Sequence, residues 1–462
     1  MEFEVNKYSL GKLKEILNIK EVINVSSDEE FDFLRILSMK HHGIEDRSKN
    51  ILFFPVVLGQ EMLDEGWIDV KTDLKTPINE IVGKFKEYTF VIEEDMKERI
   101  EYSDAKLIVV DDIMSSIDKL YDYQISNNSF DVITATGSAG KTTTIGLVQN
   151  VLMNKYKVLR IYSDRITPIL LKAYIINFLN NTHDIVALEM GIFYKDHVKM
   201  LAELLKPDTS AMINIGNAHL GEPGLNTISD TCKNKAYVFK AAKMGFINRD
   251  DEELKKLSLR DNKLYYEDEF LFETSLKELR EIYPSKVERD NEGIIINGKK
   301  IYIPILTELS IIQNLIVYNI GMYYGVDEDQ IIATLNDFKP VENRLQRVNI
   351  FGKNVIFDGD SSFKERIHQL SLHLYDKCYL VIRKYGDTEW YDDDLAGIVE
   401  YFDKFDKVFI FEGVNYFSDL IKHPNAKSVT NHDFMKDLDG EIFYHYHEYC
   451  YDFDTICEEN LE

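Results

Sequence analysis

Positive charge is scarce in this chain. Of 462 residues only 54 are Lys or Arg, against 80 Asp or Glu, for a formal charge of −26. Nucleic-acid affinity rests on basic residues that neutralise phosphates, so this balance argues against a nucleic-acid partner. Cysteine is scarcer. The four present (Cys232, Cys378, Cys450, Cys457) form no CxxC pair, which speaks against a disulfide scaffold or a zinc ribbon. Nine prolines and 23 glycines are too few for a linker-rich or disordered chain. No apolar run approaches the ~20 residues of a membrane span. Met1-Glu2-Phe3-Glu4 lacks the charged and apolar regions of a signal peptide. A cytoplasmic protein without membrane insertion is expected. What the chain does have is 45% hydrophobic and 12% aromatic residues, the composition of a folded protein. Its length exceeds what one core usually serves, so two or three domains are expected.

The hydrophobic pattern divides the chain into three α/β units. Residues 1–128 form a small one, with a helix around Ser9–Leu17 and strands at Ile51–Phe54, Thr89–Ile92 and Leu107–Val110. The polar run Ser126-Asn127-Asn128-Ser129 marks the first boundary. Residues 129–338 alternate strand and helix: Val132–Thr136, a helix over Thr142–Tyr156, then Val158–Tyr162, Ile185–Leu188 and Ala211–Ile215. Such alternation predicts a mostly parallel sheet with helices on both faces. Asn297-Gly298 between apolar runs predicts a hairpin, and Ile311–Tyr324 a buried helix. Residues 339–462 carry strand-like runs at Val355–Phe357, Cys378–Ile382 and Lys407–Phe411, which suggests a smaller Rossmann-like unit.

The most informative stretch is Thr134-Ala135-Thr136-Gly137-Ser138-Ala139-Gly140-Lys141-Thr142-Thr143. Strand, glycine-containing turn and helix follow in the order that a phosphate-binding loop needs. Backbone N–H groups and the helix N-terminus then face the phosphates. Lys141 reaches the β and γ positions, and Thr142 holds Mg²⁺. The strict motif has Gly where Ala135 stands, so an ordinary strand-to-helix turn with an exposed lysine is the competing reading. Glu189 follows the strand Ile185–Leu188, and His219 follows the strand ending at Ile215. Open α/β sheets bind ligands at the carboxyl ends of their strands, which places both residues on the rim that carries Lys141. A carboxylate and an imidazole there suit a second metal ion. Singly, Glu189 reads as a loop cap and His219 as a surface histidine.

Taken together, these residues resemble the Mur ligase superfamily, the ATP-dependent amide ligases of peptidoglycan precursors, and most closely its D-alanyl-D-alanine-adding branch. Thr136–Thr143 is similar to that family's short phosphate loop, made here of Gly137, Ser138, Ala139, Gly140, Lys141, Thr142 and Thr143. Glu189-Met190-Gly191 matches its metal-binding glutamate, and Asn214 to His219 its Asn-…-Ala-His stretch. Cys232–Phe239 resembles the segment that bears a carbamylated lysine, which puts that role on Lys235. Asn343-Arg344-Leu345-Gln346 resembles the turn whose arginine contacts the nucleotide, and Asp358 matches the aspartate after the next strand. In the first unit, Lys49–Pro55 and Ile108–Ile113 resemble the substrate-binding domain of the same branch.

Three places depart from the family pattern. Its His-Asn pair is Gln313-Asn314 here, with Asn314 at the position that contacts adenine. Its Asp-Ser-Tyr-Asn segment is replaced by Asp358-Gly359-Asp360-Ser361-Ser362-Phe363, an alignment that slides between Asp358 and Asp360. Its Lys-Gly-Ser-Arg-like stretch near the C-terminus is replaced by Gly440–Glu448.

The resemblance implies an ADP-forming ligase that joins a small-molecule carboxylate, such as a UDP-linked muropeptide, to an amine through an acyl phosphate. Lys141, Lys235 and His219 would be catalytic. Thr142, Glu189, His219 and a carbamylated Lys235 would hold two Mg²⁺, and ATP would meet the loop, Asn314, Arg344 and Asp358. A monomer is expected. The competing functions are a Mur-like ligase of a specialised pathway, a nucleotide-binding relative without ligase chemistry, and a simple ATPase. His445 and His447 fall on one face of a strand with Glu448 beyond, but two evident ligands make a poor metal site. Arg383, Lys384 and the run Tyr391–Asp394 read as surface charge.

Overall fold

The computed structural model describes residues 5–36, 50–55, 78–161, 166–216, 220–290, 292–303, 305–338, 346–359, 367–368, 370–384, 397–412, 414 and 417–447. Three main sheets follow one another along the chain. The first joins β1 (Ile19–Ile23), β2 (Phe33–Ile36), β3 (Ile51–Phe54), β4 (Thr89–Glu93) and β5 (Lys106–Val110) in the order β1-β5-β4-β3-β2. Only β1 runs antiparallel to its neighbour. The three predicted strands are its middle. The edge strands β1 and β2 were not predicted, because Ile19-Lys20-Glu21-Val22-Ile23 and Phe33-Leu34-Arg35-Ile36 carry charges within their apolar runs. Helix α1 (Ile113–Asn127) leads out of this sheet, capped by Asp112, whose carboxylate accepts from the Ser115 N–H.

The central sheet contains β6 (Asp131–Thr136), β7 (Val158–Ile161), β8 (Ile185–Glu189), β9 (Thr209–Met212), β10 (Met244–Asn248) and β11 (Glu278–Ile282). All are parallel, in the order β11-β10-β9-β6-β8-β7. Alternate residues of each strand enter opposite cores, as a sheet covered on both faces requires. Val132, Val186, Leu188 and Met212 pack with the first unit and with α3 (Pro168–Phe178). Ile133, Ala135, Ala187 and Ala211 pack under α2 (Lys141–Leu152) and α5 (Glu308–Tyr323). Helix α4 (Ile228–Lys235) precedes β10 and starts with a Thr227/Asp230 capping box.

Two small antiparallel sheets, from Leu257 to Glu273 and from Glu288 to Tyr302, sit between β10 and α5. The predicted hairpin is in the second. Asn297 and Gly298 have φ of 52° and 76°, the double left-handed turn that Asn-Gly favours.

One predicted strand is displaced. Instead of Ala211–Ile215, β9 spans Thr209–Met212; the Ile213 N–H makes a last bond to Thr136 O at 3.0 Å, and the residues to Gly216 leave the ladder. Hydrogen bonds from outside the ladder hold that exit. Asn248 Nδ2 donates to Ile213 O at 3.0 Å, and the Ile215 N–H donates to Asp251 Oδ2 at 2.9 Å.

The third sheet contains β12 (Gln346–Ile350), β13 (Lys353–Gly359), β14 (Cys378–Lys384), β15 (Lys407–Phe411), β16 (Ala426–Val429) and β17 (Glu441–His447), in the order β12-β13-β17-β14-β15-β16. It is parallel except for β12. It meets the central unit just before α5. The Leu374 N–H donates to Leu306 O at 3.0 Å, and the Leu306 N–H donates to Tyr375 Oη at 3.0 Å.

The first two units share one apolar core, pinned by a buried amide. Asn177 of α3 is fully buried. It accepts from the Leu34 N–H and donates to Leu34 O, both at 2.7 Å, and so closes the free side of edge strand β2. Asn177→Ala leaves both backbone groups of Leu34 without these partners, and a loss of ~2–4 kcal/mol is expected in urea unfolding.

Candidate active site

Strand order fixes where a ligand can sit. From β6 the chain passes to β7 and back to β8 on one side, then crosses to β9 on the other, so a crevice opens at the carboxyl end of β6. The register brings Glu189 of β8 level with Ala135, and Met212 of β9 level with Thr136. Glu189, the turn Gly137–Gly140 and the segment Ile213–Gly216 therefore share one rim.

The turn is built to present backbone N–H groups. Gly140 is the N-cap of α2 at φ 82°, a left-handed conformation that disfavours a side chain. A Cβ there would also lie 2.6 Å from Gln313 Nε2 and 2.9 Å from Leu309 Cδ1 of α5. Neighbours brace the turn on both sides. Asn214 Oδ1 accepts from the Ser138 and Ala139 N–H groups, both at 2.9 Å. Gln313 Nε2 donates to Gly140 O at 2.9 Å. Lys141 Nζ lies over the turn and donates to Gly137 O at 3.1 Å. Thr143 sits half-buried in the first turn of α2.

Thr142 and Glu189 face each other across the rim. The Thr142 hydroxyl is 3.0 and 2.9 Å from the two carboxylate oxygens of Glu189, which is buried. Behind it, Arg160 Nη2 of β7 donates to Thr142 O at 3.1 Å and fixes the backbone of that residue. A hydroxyl and a carboxylate converging at a helix start are hard oxygen donors, the set that suits Mg²⁺. Among the described residues no group of three His, Cys, Asp or Glu side chains could hold a metal.

Lys235 ends α4, fully buried, and its Nζ donates to Ser138 Oγ at 3.3 Å. The same oxygen accepts from the Gly216 N–H at 2.8 Å. The rim thus gathers Gly137, Ser138, Ala139, Gly140, Lys141, Thr142, Thr143, Glu189 and Lys235. Asn314 is nearby on α5, but its Nδ2 donates within its own helix, to Ser310 O at 2.8 Å. His219 and Arg344 lie outside the described residues, as do Asp360, Tyr391–Asp394 and Glu448. Asp358 belongs to the third sheet. It is fully buried beside His445 of the adjacent β17, with Oδ2 and Nδ1 3.4 Å apart.

Sequence reasoning named Asn214 as the start of a family-like stretch without giving it a role, and did not single out Arg160, Asn248 or Asp251 as parts of the site. A signal for the last two was available: Asn248-Arg249-Asp250-Asp251 directly follows an apolar strand, at the end where ligands bind. Burial raises the Asp251 carboxyl above its ordinary value, although the N–H groups of Ile215, Leu254 and Glu253 oppose the shift.

The loop after Glu189 runs into another helix at His197, a fully buried imidazole stacked 4.6 Å from the Tyr194 ring. Its Nε2 is 2.9 Å from Ile166 O, and burial pushes its pKa down to about 4 from 6.5. A depressed histidine contributes stability that is complete above pH 6.5 and is lost as the pH falls toward 4, because the unfolded chain takes up the proton first. The window is worth about 3 kcal/mol. Unfolding free energy measured against pH is expected to fall more steeply between pH 6.5 and 4 in the parent than in His197→Gln.

Residues 135–320 match the model of the Mur ligase middle domain. The UDP-N-acetylmuramoyl-tripeptide–D-alanyl-D-alanine ligase of Bacillus subtilis is 26% identical over 358 residues, 72% of this chain and 74% of that protein. Among solved structures, MurF from Acinetobacter baumannii superposes with a TM-score of 0.67 at 12% identity, over 99% of both chains. MurF ligase from Thermotoga maritima in complex with ADP gives 0.56 at 17%, over 89% of this chain and 94% of that one. At such identities the structural likeness speaks for the fold.

Proposed function

The chain is a divergent member of the Mur ligase superfamily, and from that premise we propose that it joins a carboxylate to an amine at the cost of ATP. The observation that carries this reading is the Thr142–Glu189 pair at the head of a braced phosphate loop. The proposed substrates follow the relatives: a UDP-linked muropeptide as the acid and a D-alanyl-D-alanine-like dipeptide as the amine. In this reading residues 1–128 hold the acid, 129–338 hold ATP and 339–462 bring the amine, in a monomer that works in the cytoplasm.

The proposed chemistry begins with the γ-phosphoryl group passing to the carboxylate to give an acyl phosphate and ADP. The amine attacks the acyl carbon, the tetrahedral intermediate expels phosphate, and an amide remains. Most of the catalysis in such a transfer is positioning and charge stabilisation. The loop N–H groups and the N-terminus of α2 cradle the β-phosphate. Lys141 swings from the Gly137 carbonyl onto the β and γ oxygens. Thr142 and Glu189 are the residues that would hold one Mg²⁺. Glu189, His219 and a carbamylated Lys235 would hold a second. When bound, these ions neutralise the charge that gathers on the phosphates. Arg160 keeps the Thr142 backbone in place throughout. In the same reading Asn314, Arg344 and Asp358 contribute to the nucleotide site.

A coupled ADP-release assay is expected to require acid and amine together, with UDP-N-acetylmuramoyl-tripeptide and D-alanyl-D-alanine as the first pair to try. Lys141→Ala is expected to lower the rate by about 10²–10³-fold. ADP release that ignores the acid and the amine would overturn the proposal in favour of a simple ATPase.

A further inference from the structure

We infer that Ser138 is a positioning residue that couples the chemical state of Lys235 to the phosphate loop. Three segments meet at its hydroxyl. The oxygen accepts from the Gly216 N–H at 2.8 Å and from Lys235 Nζ at 3.3 Å, while its own hydrogen is directed at Gly216 O, 3.4 Å away. The backbone N–H of the same residue is tied to Asn214, through both Oδ1 and the main-chain oxygen, at 2.9 and 3.0 Å. A change at the lysine therefore reaches the loop through the Ser138 side chain, and Asn214 holds the backbone of that residue in place.

This inference rests on the reading of Lys235 as a carbamylated side chain. The modification needs no enzyme and no redox partner. The lone pair of the neutral Nζ attacks the carbon of dissolved carbon dioxide, an N–C bond forms, and one C=O electron pair moves onto oxygen. The proton leaves Nζ for solvent. Lys235 changes from a hydrogen-bond donor into a pair of anionic oxygen acceptors. A hydroxyl serves both states, since it accepts from an ammonium or amine and, after rotating, donates to a carbamate oxygen. Lys235 is fully buried, so an unanswered charge of either sign is costly there. The present bond from Nζ is long, at 3.3 Å, and shares its oxygen with the Gly216 N–H, whereas donation to a carbamate oxygen is a bond to an anion, so the Ser138 hydroxyl favours the carbamate.

The test equilibrates the full chain with ¹³C-labelled bicarbonate and reads ¹³C NMR. The parent is compared with S138A, with S138T, which keeps the hydroxyl, and with K235R as the blank. Parent and S138T are expected to give one protein carbamate resonance that K235R lacks. S138A is expected to need about tenfold more bicarbonate for the same intensity, the factor that one hydrogen bond to a charged group carries. Its ADP-release activity should shift along the bicarbonate axis by the same factor. If S138A does not fold, S138G removes the same hydroxyl. Equal bicarbonate dependence in parent and S138A overturns the role of Ser138 alone. A parent without the resonance overturns the carbamylated reading of Lys235, and this inference with it, while the ligase assay stands on its own substrates.

Discussion

A phosphate loop is a row of backbone N–H donors with no acceptors of their own, and the surroundings of Gly137–Gly140 are arranged around that deficit. An unsatisfied buried amide costs about 1–3 kcal/mol, so a loop kept open for an anion needs temporary partners. Asn214 supplies one oxygen to two of the amides. It can do so because β9 breaks off at Met212 and turns the following residues toward the loop. That break is itself held by Asn248 and Asp251, from the end of β10. The chain of dependence thus runs from the order of three parallel strands to a single side-chain oxygen.

The central strands and the phosphate loop were legible in the sequence because their signals are local. Val132–Thr136 is an apolar run followed by a glycine turn and a helix, and Glu189 could be placed from the strand before it. The braces were not legible in this way. Gln313 reaches Gly140 across 173 positions of sequence, and Asn214 reaches Ser138 across 76. An asparagine or glutamine in a helix or at a strand end carries no sign of which backbone group it will meet. The displaced end of β9 has the same origin. Ile213 and Ile215 fit a strand by composition, and contacts from the next strand end override that preference. The edge strands of the first sheet were hidden by their charges. The Asp358–His445 pair depended on β17 inserting between β13 and β14, which no local pattern reveals.

The strong negative charge and the anionic ligands proposed for this chain are compatible because its cations are differently employed. Many lysines are spent on the surface. Lys299 bridges Glu328 and Asp329, and Lys300 bridges Asp290 and Glu292. Such exposed pairs add little stability and leave almost no net field. At the rim Lys141 lies over loop carbonyls, Lys235 is buried behind Ser138, and Arg160 supports Thr142 from below. A cation in a partly dry site acts on a phosphate far more strongly than one in water. A few placed charges therefore outweigh a distant acidic surface, which salt screens within about 10 Å.

Among the described residues, the third unit enters this arrangement at the start of α5. The Leu374 N–H donates to Leu306 O, the Leu306 N–H donates to the Tyr375 hydroxyl, and an isolated bridge pairs Thr307 with His373. Thr307 is also the N-cap of α5, the helix whose Gln313 holds the Gly140 carbonyl two turns later. The same helix thus touches the third unit at its N-terminal end and the phosphate loop through Gln313. The proposed amine-bearing unit and the phosphate-binding turn therefore contact one and the same element of the central unit. In the proposed reaction the acyl phosphate must meet its amine before water does, and a rigid element shared by the two units holds the loop at a fixed place relative to the third sheet.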